Sequence, residues 1–167
     1  MSEKEYQNPF IDYLISLKEN RGSLAALRRG LGQPPGAAPE MFPHVVPWLP
    51  ANCSEWMERT FFLIASLFAL HPASVDSGNM GAHLRATIKA SDNELATERR
   101  FIALLQSHPD DLAAHLRHSI SYLKSKEQPV NWYQLFDDVL HWDHPQRYVQ
   151  KNWARMFWTR RNADQET

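Results

Sequence analysis

Apolar residues recur along this chain at spacings of three and four, the signature of helices that bury one stripe. Asn8-Pro9 reads as an N-cap followed by proline at the first helical position. The helix it opens is predicted from Phe10 to Glu19, with Phe10, Tyr13, Leu14 and Leu17 on one face. A second helix, Arg21–Arg29, carries Leu24, Leu27 and Leu31 as its buried edge and stops at Gly30 and Gly32. Ser54 is the predicted N-cap of a helix that runs to Leu70 and ends before His71-Pro72. Its run Phe61–Leu70, FFLIASLFAL, is about half the roughly 20 residues a membrane span needs. It reads as a core helix segment, and no membrane association is expected.

Further helices are predicted at Gly81–Lys89, Asn93–Gln106, Pro109–Lys124, Trp132–Trp142 and Pro145–Arg160. The breaks fall at Ser91-Asp92, Ser107-His108-Pro109, Gln128-Pro129 and Asp143-His144-Pro145, with Asn131 and Asp143 as N-caps. Alternating strand patterns and Asn-Gly or Asp-Gly hairpin turns are not found. Two stretches stand apart. Gln33–Pro50 holds six of the eleven prolines and is expected to contain only a short helical turn. Val75–Gly81 is expected to be a mobile loop. The fold class is therefore all-α: a compact bundle of about eight helices, forming one domain over 1–161 or two packed halves, with 162–167 as a disordered tail.

Composition changes the picture only at the level of charge. Apolar residues are 43% of the 167, enough for a core, and the formal net charge is −1. A chain that binds nucleic acid through overall positive charge does not look like this. The charges are nevertheless segregated. His144–Arg160 contains Arg147, Lys151, Arg155 and Arg160 and no acid, and Arg161 follows. Arg147, Lys151 and Arg155 are spaced i, i+4, i+8, so on one helix they fall within about 80° of arc and rise about 6 Å apart. Val149, Trp153, Met156 and Phe157 fall on the opposite side. Such a row can follow a phosphate backbone. Trp158 lies among the cations, either stacking a base or closing the edge of the core. Asn20–Pro39 repeats the basic case with Arg21, Arg28 and Arg29, whereas Glu127–Asp143 is acidic without Lys or Arg.

Catalytic motifs are absent from the sequence: no GxSxG, P-loop, GxGxxG or HExxH. The adjacent pairs Asp110-Asp111 and Asp137-Asp138 point to different faces of their helices. Histidine pairs His115/His118 and His141/His144 could each supply two metal ligands, short of the three a catalytic zinc site usually takes. Neither metal nor cofactor is expected. The single cysteine, Cys53, forms no intrachain disulfide and fits a reducing cytoplasm, and the polar N-terminus lacks a signal-peptide core.

Several segments resemble a known family. RGSLAALRRG (Arg21–Gly30), ERRFIALL (Glu98–Leu105), LAAHLRHSISYL (Leu112–Leu123), NWYQLFDDVLHW (Asn131–Trp142) and VQKNWARMFW (Val149–Trp158) resemble, in order, motifs of the CasB family. That family is the small subunit of the type I-E CRISPR surveillance complex, Cascade. The resemblance implies an all-α, non-catalytic protein present as two copies beside the other Cascade subunits. It implies contact with the target and displaced non-target DNA strands, stabilising the R-loop formed with the guide RNA. Carried over, the binding residues are Arg28, Arg29, Arg99, Arg100, Arg117 and Arg147, to which the spacing argument adds Lys151 and Arg155. Two other classes remain open on the residues alone: a helical protein-interaction adaptor without nucleic acid, and a metal-dependent enzyme using the histidines.

Overall fold

The computed structural model describes residues 8–89 and 93–159. The Ser91-Asp92 break, Arg160, Arg161 and the 162–167 tail lie outside them. Among the described residues there are nine α-helices: α1 (Pro9–Ser16), α2 (Arg21–Arg28), α3 (Phe42–Val45), α4 (Glu55–Leu70), α5 (Met80–Ala86), α6 (Glu94–Leu105), α7 (Pro109–Ser125), α8 (Trp132–Leu140) and α9 (Tyr148–Phe157). The all-α expectation holds. The one β feature among the described residues is an isolated parallel bridge between Ser74 and Val130.

Local chemistry sets most of the starts. The Asn8, Asn20, Asn79 and Asn131 side chains accept from backbone N–H groups of the first turns of α1, α2, α5 and α8. Ser54 Oγ accepts from Met57 N at 3.1 Å to open α4, which carries Glu55 and Glu58 in its first turn. The Pro-rich stretch departs from expectation. Instead of one short turn it forms three successive helical pieces: a 3-10 turn at Pro39–Met41, then α3, then a second 3-10 turn at Val46–Trp48. Pro39, Pro43 and Pro47 each fall in the first turn of a piece, where a missing N–H costs no helical bond.

Helix α4 is the centre of the core. It packs against α2, α3, α7 and α8, so the segments before and after the central loop are interleaved. Three tryptophans are fully buried: Trp132, edge-on to Phe68 of α4, and the adjoining pair Trp142 and Trp153. A buried indole N–H needs an acceptor. Trp132 donates to Ala73 O (3.2 Å), Trp142 to Ser107 O (3.0 Å) and Trp153 to the Asp138 carboxylate (2.7 Å). The half-buried Trp56 donates to Val139 O (2.9 Å).

Two buried ionisable groups hold elements together. Asp138 also accepts from Gln134 Nε2 at 2.9 Å, and burial pushes its pKa up to about 6. One acid of the Glu127–Asp143 run is thus internal. His83 Nε2 accepts from Asn131 N at 3.0 Å, and burial lowers its pKa to about 4.

The Val75–Gly81 segment, expected to be a mobile loop, is hydrogen-bonded to the rest of the fold at several points. Val75 N donates to Val130 O (3.0 Å), and Asn131 Nδ2 donates to Gly78 O (3.0 Å). Gly81 closes the contact between α5 and α9: a Cβ there would lie 1.9 Å from the Trp153 carbonyl oxygen.

Candidate nucleic-acid interface

The eight basic residues singled out from the sequence stand on α2, α6, α7 and α9. Arg28 ends α2 and Arg29 caps it; both are exposed. The chain then turns through Gly30–Gly32. Gly30 leaves room for the Met41 thioether, since a Cβ would fall 2.2 Å from its sulfur. Gly32 has φ +74°, and a Cβ there would lie 2.7 Å from Arg117 Nη1 on α7. The left-handed backbone favours glycine at this position, and the guanidinium lies close beside it. The fold thus brings Arg117 against the turn that directly follows Arg28-Arg29.

Arg99 and Arg100 are neighbours on α6, about 100° apart around the axis. Arg99 is exposed to solvent, whereas the Arg100 guanidinium lies 4.1 Å from the centre of the Tyr122 ring on α7. Lys151 and Arg155 are exposed on α9, one turn apart.

Arg147 corrects the predicted stripe. Asp143 is not the cap of the last helix, and the helix does not start at Pro145. It starts at Tyr148, with Arg147 as its N-cap residue in the left-handed conformation (φ 50°, ψ 38°). The Arg147 Nη2 donates to Leu105 O at 3.0 Å, satisfying a carbonyl at the C-terminal end of α6. The i, i+4, i+8 row therefore reduces to Lys151 and Arg155 on one helix, with Arg147 turned to a neighbouring one. An arginine has five N–H donors, so Arg147 retains capacity for a second acceptor. Met156, expected on the buried side, is 45% exposed.

Trp158 closes the core edge. Its ring packs against Phe101 and Phe157, and its indole N–H donates to Glu98 Oε1 at 2.8 Å, while 43% of the residue remains exposed. Ion pairs between described residues engage Arg59 with Asp110 and Arg85 with Glu94, and none of the eight candidates. His108 Nδ1 and His141 Nδ1 each lie 3.6 Å from a carboxylate oxygen, of Asp110 and Asp137 respectively. Among the described residues, no three His, Cys, Asp or Glu side chains converge as a metal site would require. No helix among them is long and apolar enough to cross a membrane.

Arg117 also stands on the lip of a groove of about 550 Å³ between α4, α7 and the Gly30–Pro35 turn. Its walls include Leu31, Met41, Trp56, Leu63 and Leu67, with Arg59, Asp110 and His118 at the rim.

Comparison with known proteins bears on this arrangement. The family model of CRISPR-associated protein Cse2 matches residues 23–158. A relative from Thermus thermophilus, "CRISPR-associated protein Cse2", is 33% identical over 161 residues, covering 94% of this chain and 92% of the relative. The chain belongs to the Cse2 family. The resemblance to CasB read from the motifs is thereby borne out. A solved Cse2-family structure from T. thermophilus superposes with a TM-score of 0.78 at 31% identity, covering 91% of this chain and 99% of that one. The crystal structure of CasB from T. thermophilus gives 0.76 at 31%, with the same coverages. A chain of a solved "CRISPR RNA-guided surveillance complex" gives 0.74 at 28%, covering 89% of this chain and 88% of that one.

Within this Cse2 chain the sequence reading missed three features of the groove: Arg59, Trp56 and the placement of Gly32. Arg59 and Trp56 are spaced i, i+3 at the start of α4, and the guanidinium carbon lies 5.9 Å from the ring centre. That spacing was a usable signal. The role of Gly32 was not legible, because Arg117 is distant in sequence.

Proposed function

We propose that this chain is a non-catalytic small subunit of a CRISPR RNA-guided surveillance complex, working in the cytoplasm. In this reading it sits beside the other Cascade subunits and a second copy of itself, in contact with guide RNA and both DNA strands. It holds an unpaired strand along its basic residues and so stabilises the R-loop. The observation that carries the reading is that Arg28, Arg29, Arg99, Arg100, Arg117, Arg147, Lys151 and Arg155 are exposed and unneutralised by any described acid. Family membership and the likeness to surveillance-complex chains support it further. Base pairing with the guide supplies sequence specificity in such systems, and protein contacts to the backbone tip a nearly balanced strand exchange.

Phosphate neutralisation releases counterions, so affinity falls with salt, with a slope of about −0.7 per contacted phosphate on a single strand. Replacing Arg28, Arg29 and Arg117 together by Ala is expected to weaken single-stranded DNA binding and flatten that slope by roughly two. Titration between low and moderate salt measures it, and an unchanged slope overturns the role of these three residues.

A second reading, a protein-interaction adaptor, is favoured by one observation. Leu95 and Ile102 on α6 are exposed on the same side of the helix as Arg99. Co-purification separates the two: an assembly that forms without guide RNA favours the adaptor.

A further inference from the structure

The groove beside Arg117 has features that a row of surface cations does not need. Its volume of about 550 Å³ lies within the range of about 300–1,000 Å³ typical of sites for small organic ligands. The walls are apolar, contributed by Leu31, Met41, Leu63 and Leu67. One wall is an aromatic ring held in place, because the Trp56 N–H is bonded to Val139 O. The rim is polar, with Arg117, His118 and the Arg59–Asp110 pair. Gly32, on the turn opposite, presents no side chain to Arg117, which is exposed.

An occupant must therefore combine a flat apolar body, polar edges and a negative charge close by. A single strand of nucleic acid brings all three in every residue, whereas a peptide must supply an acid and an aromatic side chain at matched positions. We propose that this groove receives a nucleobase of the strand whose phosphates meet Arg117, so that the base is turned into the protein instead of toward solvent. The inference rests on the strand-holding reading and deepens it. The two hydroxyls inside the groove, Thr60 and Ser66, donate to Trp56 O and Leu63 O of their own helix, and the charged groups stand at the rim, so the groove accepts any base with little preference, as stacking platforms do.

The test compares two strands of equal length and charge, oligo(dT) and the same backbone with every base removed, binding to the full chain at fixed salt. Oligo(dT) is expected to bind at least tenfold more tightly. Ala113, exposed on α7 one turn before Arg117, lines the groove; Ala113→Trp fills the space without adding or removing a charge. It is expected to abolish the difference between the strands while preserving the salt slope, and Ala113→Ser is expected to retain the difference. As a readout on the unaltered chain, a strand carrying 5-iodouracil should photocrosslink to peptides containing Met41, Trp56 or His118. Equal binding of the two strands, a difference that survives Ala113→Trp, or crosslinks confined to other peptides would each overturn the groove. If both strands bind equally but with a steep salt slope, the strand-holding function stands and the groove alone fails. If neither strand binds in a salt-dependent way, both fail.

Discussion

His83 and Asp138 are both buried, and their ionisation is linked to folding in opposite senses. The folded pKa of His83 is about 4, below the ordinary 6.5, because burial disfavours the imidazolium. Its contribution to stability is complete above pH 6.5 and is lost as pH falls through 4. The folded pKa of Asp138 is about 6, above the ordinary 3.8, because burial disfavours the carboxylate. Its contribution is complete below pH 3.8 and is lost as pH rises through 6. At 1.36 kcal/mol per pKa unit each effect is on the order of 3 kcal/mol, so the two largely cancel between pH 4 and 6. Single substitutions should expose them. His83→Gln, which keeps an acceptor for Asn131, is expected to gain stability relative to the parent as pH falls from 6.5 to 4. Asp138→Asn, which keeps an acceptor for Trp153, should lose it over the same window. Urea unfolding at several pH values measures both, and profiles parallel to the parent would show that neither group is responsible. None of this was legible in the sequence. His83 and Asp138 carry no local mark of burial, and the adjacent acidic pair and the acidic Glu127–Asp143 run in which Asp138 stands give no sign that one acid points inward.

Elements were legible where short-range chemistry decides them. Side-chain caps at Asn8, Ser54 and Asn131 fixed the starts of α1, α4 and α8 because an Asn or Ser acceptor acts within three residues. The start of α9 was misread because its cap is not a local hydrogen bond. Arg147 takes a left-handed conformation and spends a guanidinium N–H on Leu105 O, 42 residues earlier. The Pro-rich stretch was misread because proline was counted as a breaker, whereas Pro39, Pro43 and Pro47 all stand where a helix tolerates it. The pairing of α5 with α9 depends on Gly81, whose Cα lies against the Trp153 backbone. A methyl group there must push the two helices apart. Gly81→Ala is expected to cost about 1–3 kcal/mol, the usual range for overpacking, against the small gain alanine brings to an open helix. Chemical denaturation measures it, and a variant as stable as the parent would mean that the helices separate freely.

At the scale of the molecule, the overall charge of −1 conceals where the cations stand. The sequence exposed their segregation along the chain but not their grouping in space. Arg117 joins the turn after Arg28-Arg29 only because α7 packs on α4, and Arg100 turns onto Tyr122. The interleaving of α2, α4, α7 and α8 also bears on the choice between one domain and two halves. One cooperative transition is expected on heating or in urea, with far-UV circular dichroism and tryptophan emission changing together. Two separated transitions would reveal independently stable halves.

The central position of α4 has a consequence for how the protein is made. Its apolar run emerges from the ribosome well before α7 and α8, which cover it. At about 5–20 residues per second, α8 follows several seconds later. During that interval α1, α2 and α3 are already made, but a nascent chain displays Phe61 and Phe68 without Phe136 and Trp132 of α8, whose rings they meet in the folded protein. The side of α4 that α7 and α8 cover is thus open to non-native apolar contacts while the chain is being made, and soluble yield in a cell is expected to respond to chaperone supply.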